Sequence, residues 1–295
     1  MNLVITSPSF IVGTGRCGTT LAAQMLNAHK NICVPPELQI IFEYSGNGRR
    51  LNEIFQSQTH FQFLCEDFIR EIERMCPHQL QSYFDLRGFL ASYKYPVHKL
   101  DIFLLDLYTA ILRSQRKEVF LEQTPWYGQR LDLLKELFPQ ANFIHMIRDG
   151  RDVALSYART PWWSKSPQEN LERWAIEANK ISTDAKKYLD PINYLEIHYE
   201  DLVLDTAKTV AVMTEFLNEQ FETSQLDITK HMDYTNFRKF DAAGISSKAY
   251  EQWQQESKNV VFVDNVLGWK RDSADLFNNI SDTAQAALAS FGYDI

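Results

Sequence analysis

The chain has 295 residues, 45% apolar and 23% charged, with 11 Gly and 10 Pro. This composition excludes a disordered chain, a collagen-like repeat and a small disulfide scaffold. Its 30 basic and 38 acidic side chains leave a formal charge of −8, which argues against a general binder of nucleic acid or other polyanions. Any anionic ligand has to be held by local donors.

Ser9–Gly13 reads as a buried strand, followed by a glycine-rich turn and a helix with Leu21, Met25 and Leu26 on one side. Residues 50–115 read as consecutive helices, an insertion over one end of a sheet. Glu118–Glu122 is a second strand, Gly128–Phe138 a helix with Leu131, Leu134 and Leu137 at helical spacing, Asn142–Ile147 a third strand and Asn193–His198 a fourth. Ser45–Arg50, Thr160–Pro167 and Asp241–Lys248 carry turn-rich composition. With no repeat and no linker, residues 1–295 are expected to form one α/β domain: a P-loop-like parallel sheet flanked by helices, with a helical insertion at about 50–115. In such sheets ligands bind beyond the carboxyl ends of the strands. The apolar runs Ser9–Val12 and Ile102–Leu105 are far short of a transmembrane segment. There is no basic leader, and Cys17, Cys33, Cys65 and Cys76 form no C-x-x-C pair, so a cytoplasmic, reduced protein is expected.

The first strand runs into Gly13-Thr14-Gly15-Arg16-Cys17-Gly18-Thr19-Thr20. A glycine turn that points successive N–H groups inward, at a helix N-terminus, makes an anion cradle. The pattern is that of a G-x-x-x-x-G-K-S/T loop with Thr19 in the lysine position and a cation inside the loop instead, Arg16. A bare strand-to-helix turn and a nucleotide kinase loop are the competing readings. The loop dipoles would lower the Cys17 thiol pKa, although a small residue filling a loop position is the plainer role.

The third strand ends in Arg148-Asp149-Gly150-Arg151-Asp152, and Ser156 follows. Arg148 sits where a guanidinium can meet a phosphate, and a helix starting near Arg151 puts Ser156 on its second turn. Asp149 and Asp152 can cap that helix or hold the arginines. Alone, this stretch reads as a salt-bridged turn. Beside the Arg16 loop it reads as a second anion site, which implies a ligand with two anionic groups.

Together these segments resemble the sulfotransferases that use 3′-phosphoadenosine-5′-phosphosulfate (PAPS). The Arg16 loop is similar to their 5′-phosphosulfate loop, and Arg148 through Ser156 to their 3′-phosphate motif. His198-Tyr199-Glu200-Asp201-Leu202 resembles a Tyr-Glu-Asp-Leu turn, and Gly268-Trp269-Lys270-Arg271 a C-terminal Gly-Trp-basic segment of bacterial members. The resemblance runs from about residue 9 to residue 272 and is weakest over 50–115. It implies that Arg16, Cys17, Gly18, Thr19 and Thr20 hold the 5′-phosphosulfate, with Arg16 stabilising the departing charge. It further implies that Arg148 and Ser156 hold the 3′-phosphate, that Tyr199 contacts adenine, and that Lys270 and Arg271 close over the cosubstrate. PAPS is then the cosubstrate, PAP the product, and no metal is required.

Arg16 through Glu37 aligns without a gap to tyrosylprotein sulfotransferases, whose glutamate at this distance is the proposed base, so Glu37 is the expected base here. A solvated or ion-paired loop carboxylate is the alternative for Glu37, and His60 or His98 are alternative bases. Many bacterial members carry Glu-Lys-Thr-Pro after the second strand where this chain has Glu122-Gln123-Thr124-Pro125, so an amide replaces a charge. Trp126, Tyr127, Trp162, Trp163 and Trp174 are the aromatic concentration nearest the expected site, as an acceptor lining or as packing. The leading function is therefore sulfuryl transfer from PAPS to a hydroxyl acceptor, a small molecule or a peptide tyrosine. A non-catalytic PAPS- or PAP-binding protein and a P-loop kinase are the alternatives.

Overall fold

The computed structural model describes residues 5–38, 59, 66, 83–93, 100–160, 165–227 and 265–295. The turn-rich stretches Ser45–Arg50 and Asp241–Lys248, His60, His98, Cys65, Cys76, Trp162, Trp163 and much of 50–115 lie outside them.

Five strands form one parallel sheet: β1 (Ser9–Gly13), β2 (Ile32–Cys33), β3 (Val119–Gln123), β4 (Asn142–Ile147) and β5 (Tyr194–His198), in the order β2-β3-β1-β4-β5. All five β1 residues are buried, as expected of a central strand covered on both faces. Side chains alternate between the two faces. Phe10, Val12, Phe120 and Phe143 meet one helical layer, while Ile11, Leu121, Ile144 and Met146 meet the other.

On the first face lie α3 (Leu100–Gln115), α4 (Leu131–Leu137) and part of α6 (Pro167–Tyr188); α2 (Leu86–Ser92) adds Leu86 and Leu90 to the same core. On the second lie α1 (Thr19–Asn27), α7 (Tyr199–Leu204) and α8 (Thr206–Phe216). A third cluster joins α5 (Gly150–Ala158), α6 and α10 (Asp282–Ser290), and a short α9 (Gly268–Asp272) docks on α5. Among the described residues no helix is long and apolar enough to cross a membrane.

Three expected elements differ in extent, the fourth strand only in starting at Tyr194 rather than Asn193. The helix expected over 128–138 is a 3₁₀ turn, Pro125–Arg130, followed by the shorter α4. Pro125 takes the first position of that turn, where its missing N–H leaves no bond unmade. The second strand lies one residue further on than expected, and β2, only two residues long, carries too little periodicity to be read from sequence. The chain leaves β1 toward β2, returns through β3, and crosses to β4 on the other side of β1. This reversal places the carboxyl ends of β1, β3 and β4 side by side, where a crevice forms in such sheets.

Candidate functional site

The loop leaving β1 is held by backbone geometry that its glycines permit. Gly15 (φ 75°) and Gly18 (φ 93°) occupy the left-handed region. A Cβ at Gly15 would lie 2.2 Å from the Tyr157 hydroxyl, and one at Gly18 would lie 2.5 Å from the Tyr199 ring. Arg16 also has positive φ, 56°, a conformation that costs a non-glycine residue about 1 kcal/mol. Its guanidinium Nε donates to Ser156 Oγ at 3.1 Å, so two residues 140 positions apart meet. Burial pulls the Arg16 pKa below the usual arginine range. A cation that has surrendered hydration is stabilised most by an anion placed against it. Cys17 is fully buried, and burial raises its thiol pKa. This favours the plainer reading of Cys17 as a small residue filling a loop position, because desolvation of a thiolate outweighs the backbone donors around it. Thr19 is buried and Thr20 exposed at the start of α1.

At the end of β4, Asp149 caps α5 by accepting from the Arg151 N–H at 2.9 Å. It also takes a two-point ion pair from the Arg151 guanidinium, at 2.9 and 2.7 Å. Arg148 points elsewhere: Nη1 donates to the Arg16 carbonyl at 3.1 Å, Nη2 to the Asn265 carbonyl at 2.8 Å, and its guanidinium lies 4.5 Å over the Tyr199 ring. Among the described residues the buried Arg148 Nε has no hydrogen-bond partner, and neither has Asp152 Oδ2. An orphaned buried guanidinium N–H is costly unless an acceptor arrives. The Arg-Asp-Gly-Arg-Asp stretch thus forms the salt-bridged turn expected of it at Asp149–Arg151, while Arg148 lies apart from that turn against the Arg16 loop.

Glu37 leaves the segment after β2, half-buried, and meets the end of β3. The Gln123 amide Nε2 donates to Glu37 Oε1 at 3.2 Å and to Thr19 Oγ1 at 3.3 Å. Next to it, Glu122 is fully buried on the opposite face of the strand. Its carboxyl accepts from the hydroxyls of Tyr108 (2.9 Å), Thr124 (2.8 Å) and Tyr127 and from the Leu38 N–H. Burial pushes this carboxyl up to about 7.

Residues 8–223 match the family model described as the sulfotransferase family. The chain belongs to the sulfotransferase family. It is 25% identical over 151 residues to the nodulation protein NoeE of Sinorhizobium fredii, a match covering 51% of this chain and 31% of that protein's length. It is 22% identical over 298 residues to protein-tyrosine sulfotransferase 1 of Danio rerio, covering 97% of this chain and 72% of that one. The fold is similar to the sulfotransferase domain of the olefin synthase of Synechococcus PCC 7002, with a TM-score of 0.65, 20% identity, and coverage of 100% and 98% of the two chains.

Within this sulfotransferase, several supports of the site escape local sequence reading. The Tyr157 hydroxyl donates to the Thr14 carbonyl at 3.0 Å and so braces the loop from α5. Glu200 accepts from the Asp149 N–H and from the Tyr293 hydroxyl, each at 3.0 Å. Trp269 joins α9 to α5: its N–H donates to Asp152 Oδ1 at 2.9 Å, its indole N–H donates to Asp149 Oδ2 at 3.1 Å, and the Arg151 guanidinium stacks 3.7 Å over its ring. The neighbours singled out from sequence stand further out. Lys270 and Arg271 are exposed, and the Lys270 ammonium lies 3.4 Å from Asp294. No local sequence signal marks the Trp269 clasp, because its partners lie about 120 positions away. Of the expected aromatics, Tyr127 and Trp174 are buried core residues, and Trp126 carries the Arg173 guanidinium at 4.4 Å.

Proposed function

We propose that this sulfotransferase moves a sulfuryl group from PAPS to a hydroxyl acceptor and releases PAP. The orphaned, buried Arg148 Nε beside the Arg16 loop is the observation that carries the two-anion reading. The residues present fit PAPS. Gly18, Thr19, Thr20 and the Cys17 backbone would hold the 5′-phosphosulfate, Arg148 and Ser156 the 3′-phosphate, and Tyr199 the adenine. Arg16, already on Ser156, would reach between the two anionic groups.

In the reaction the acceptor oxygen forms a bond to sulfur while the bond from sulfur to the 5′-phosphate oxygen breaks, and its electron pair leaves with PAP. The acceptor proton would pass to Glu37, and the charge growing on the departing phosphate would be met by Arg16 and the loop N–H groups. Lys270 and Arg271 would act at the rim. The acceptor class is a small-molecule hydroxyl or a peptide tyrosine. The tyrosine case is supported by the ungapped Arg16–Glu37 alignment and by the protein-tyrosine sulfotransferase relative. Buried thiols at Cys17 and Cys33 suit a reducing, cytoplasmic setting.

A melting titration with PAP, AMP, and ATP with Mg²⁺ tests this reading. A ligand at about a hundred times its dissociation constant stabilises by ~2.7 kcal/mol. The expected result is a large shift with PAP and small shifts with the other two. A response to ATP without one to PAP overturns the proposal in favour of a kinase.

A further inference from the structure

We propose that Gln123 is a positioning residue that ties Glu37 to the phosphate loop through a single amide nitrogen. The inference rests on the reading of Glu37 as the base and deepens it. Gln123 ends β3, paired in register with Ile11 of the central strand, and is 3% exposed. An amide nitrogen carries two hydrogens, and here each has an acceptor, Thr19 Oγ1 at 3.3 Å and Glu37 Oε1 at 3.2 Å. The orientation of the amide is fixed by chemistry. An ionised carboxylate only accepts, so the group facing Glu37 has to be the NH₂, while the threonine hydroxyl adapts.

The preceding residue completes the hold. Successive strand side chains point to opposite faces, so Glu122 and Gln123 reach the 37–38 segment by two routes. Glu122 accepts the Leu38 N–H, and Gln123 donates to the Glu37 side chain. Pro35 and Pro36, both buried, stiffen the approach. Two consecutive residues of a rigid strand thereby fix two consecutive residues of a connecting segment. The base is held relative to Thr19, which belongs to the loop proposed to carry the sulfuryl donor. Because Gln123 is neutral, the tether adds no positive charge that would weaken Glu37 as a proton acceptor. A lysine at this position, as in the Glu-Lys-Thr-Pro pattern, would position and add charge at once. The amide separates the two effects.

The test compares Gln123→Glu, Gln123→Leu and Gln123→Lys in the full chain at pH 8, by hydrogen exchange at the Glu37 and Leu38 amides and by calorimetry with PAP. Glutamate is isosteric with glutamine but offers no donor, whereas lysine is a different shape that keeps donors. The tether predicts exchange about fivefold faster or more in Gln123→Glu and Gln123→Leu, and near the parent value in Gln123→Lys. The PAP dissociation constant stays within about threefold in the uncharged Gln123→Leu. With PAPS and 4-nitrophenol as probes, Gln123→Leu lowers kcat about tenfold or more while the KM for PAPS holds within about threefold.

Unchanged exchange in Gln123→Glu, which a purely space-filling role predicts, overturns the proposal. So does failure of Gln123→Lys to restore protection. The exchange measurement needs no acceptor and decides by itself. If the exchange pattern holds but the parent protein does not bind PAP, the tether stands and the sulfotransferase reading of the site fails.

Discussion

The cosubstrate side of the site and the base side are built in different ways. Around the Arg16 loop contacts arrive from several elements: Tyr157 on Thr14, the Tyr199 ring against Gly18, Arg148 on the Arg16 carbonyl, and Arg151, Glu200 and Trp269 on Asp149. On the base side, the end of one strand reaches Glu37 through Gln123 and Leu38 through Glu122. The difference fits the proposed chemistry. A cosubstrate with two phosphates offers the same fixed anions on every turnover and suits a preorganised cradle. A base has to be brought to one proton at the right angle, which a contact from the end of a rigid strand supplies. The contrast also says where catalysis and binding should come apart under mutation.

The sharpest separation is expected from Glu37→Gln. The amide keeps the volume and a hydrogen-bonding oxygen but cannot accept the acceptor's proton. Turnover should fall by about 10²–10⁴-fold, in the range for losing a positioned general base. PAP affinity should stay within about twofold, because the braced half is untouched. Steady-state rates together with calorimetry report both quantities. Full activity in the variant would remove Glu37 from the mechanism and leave the base side without its central group.

Arg148→Ala is the converse experiment. It removes a charge-assisted contact from the braced half, and such hydrogen bonds contribute about 1.5–3 kcal/mol. PAP binding should therefore weaken by roughly tenfold to a hundredfold. AMP, which lacks the 3′-phosphate, should lose no more than about twofold. AMP also controls for the loss of support at the Arg16 carbonyl and at Asn265, since that damage would weaken both ligands alike. Equal losses would show that Arg148 braces the loop and reads no phosphate.

The two halves were also unequally legible in the sequence. The first and third expected strands match β1 and β4 residue for residue, because short buried runs ending in Gly13 and before Arg148 leave little freedom of boundary. The Arg16 loop and the Asp149 cap followed from local chemistry. What local reading missed lies across long sequence distances. The Arg16–Ser156 contact spans 140 positions and Trp269 to Asp149 spans 120; such pairings depend on strand order, which spacing does not encode. Cys17 shows the same limit in another form. A loop full of N–H dipoles is compatible with an acidic thiol as well as with a small filler, and what decides is whether the side chain faces solvent or the core, a tertiary fact; Cys17 faces the core. On the base side, Gln123 stood out in the sequence only as a missing lysine, and its two bonds emerged once β3 lay beside β1.

The smallest expected effect concerns Glu122, the buried support beneath the base side, and it is read in stability. Burial pushes the Glu122 carboxyl up to about 7, whereas a glutamate in an unfolded chain titrates near ~4.3. Between these values the folded protein keeps a proton that the unfolded chain has released. Its contribution is therefore fully present below about 4.3 and is lost as pH rises toward about 7, by up to a few kcal/mol at ~1.4 kcal/mol per pH unit. Glu122→Gln removes this titration and should fold, because its amide oxygen can take the Leu38 N–H while the Tyr108, Thr124 and Tyr127 hydroxyls rotate to accept from the NH₂. Urea unfolding at pH 5 and pH 8 measures the difference directly. The parent protein should lose about 2 kcal/mol more than the variant over that interval. Parallel losses would mean that Glu122 stays ionised under its four donors. The end of β3 would then be a charged anchor, as heavily braced as the loop opposite, and the contrast between the two halves would narrow to Glu37 alone.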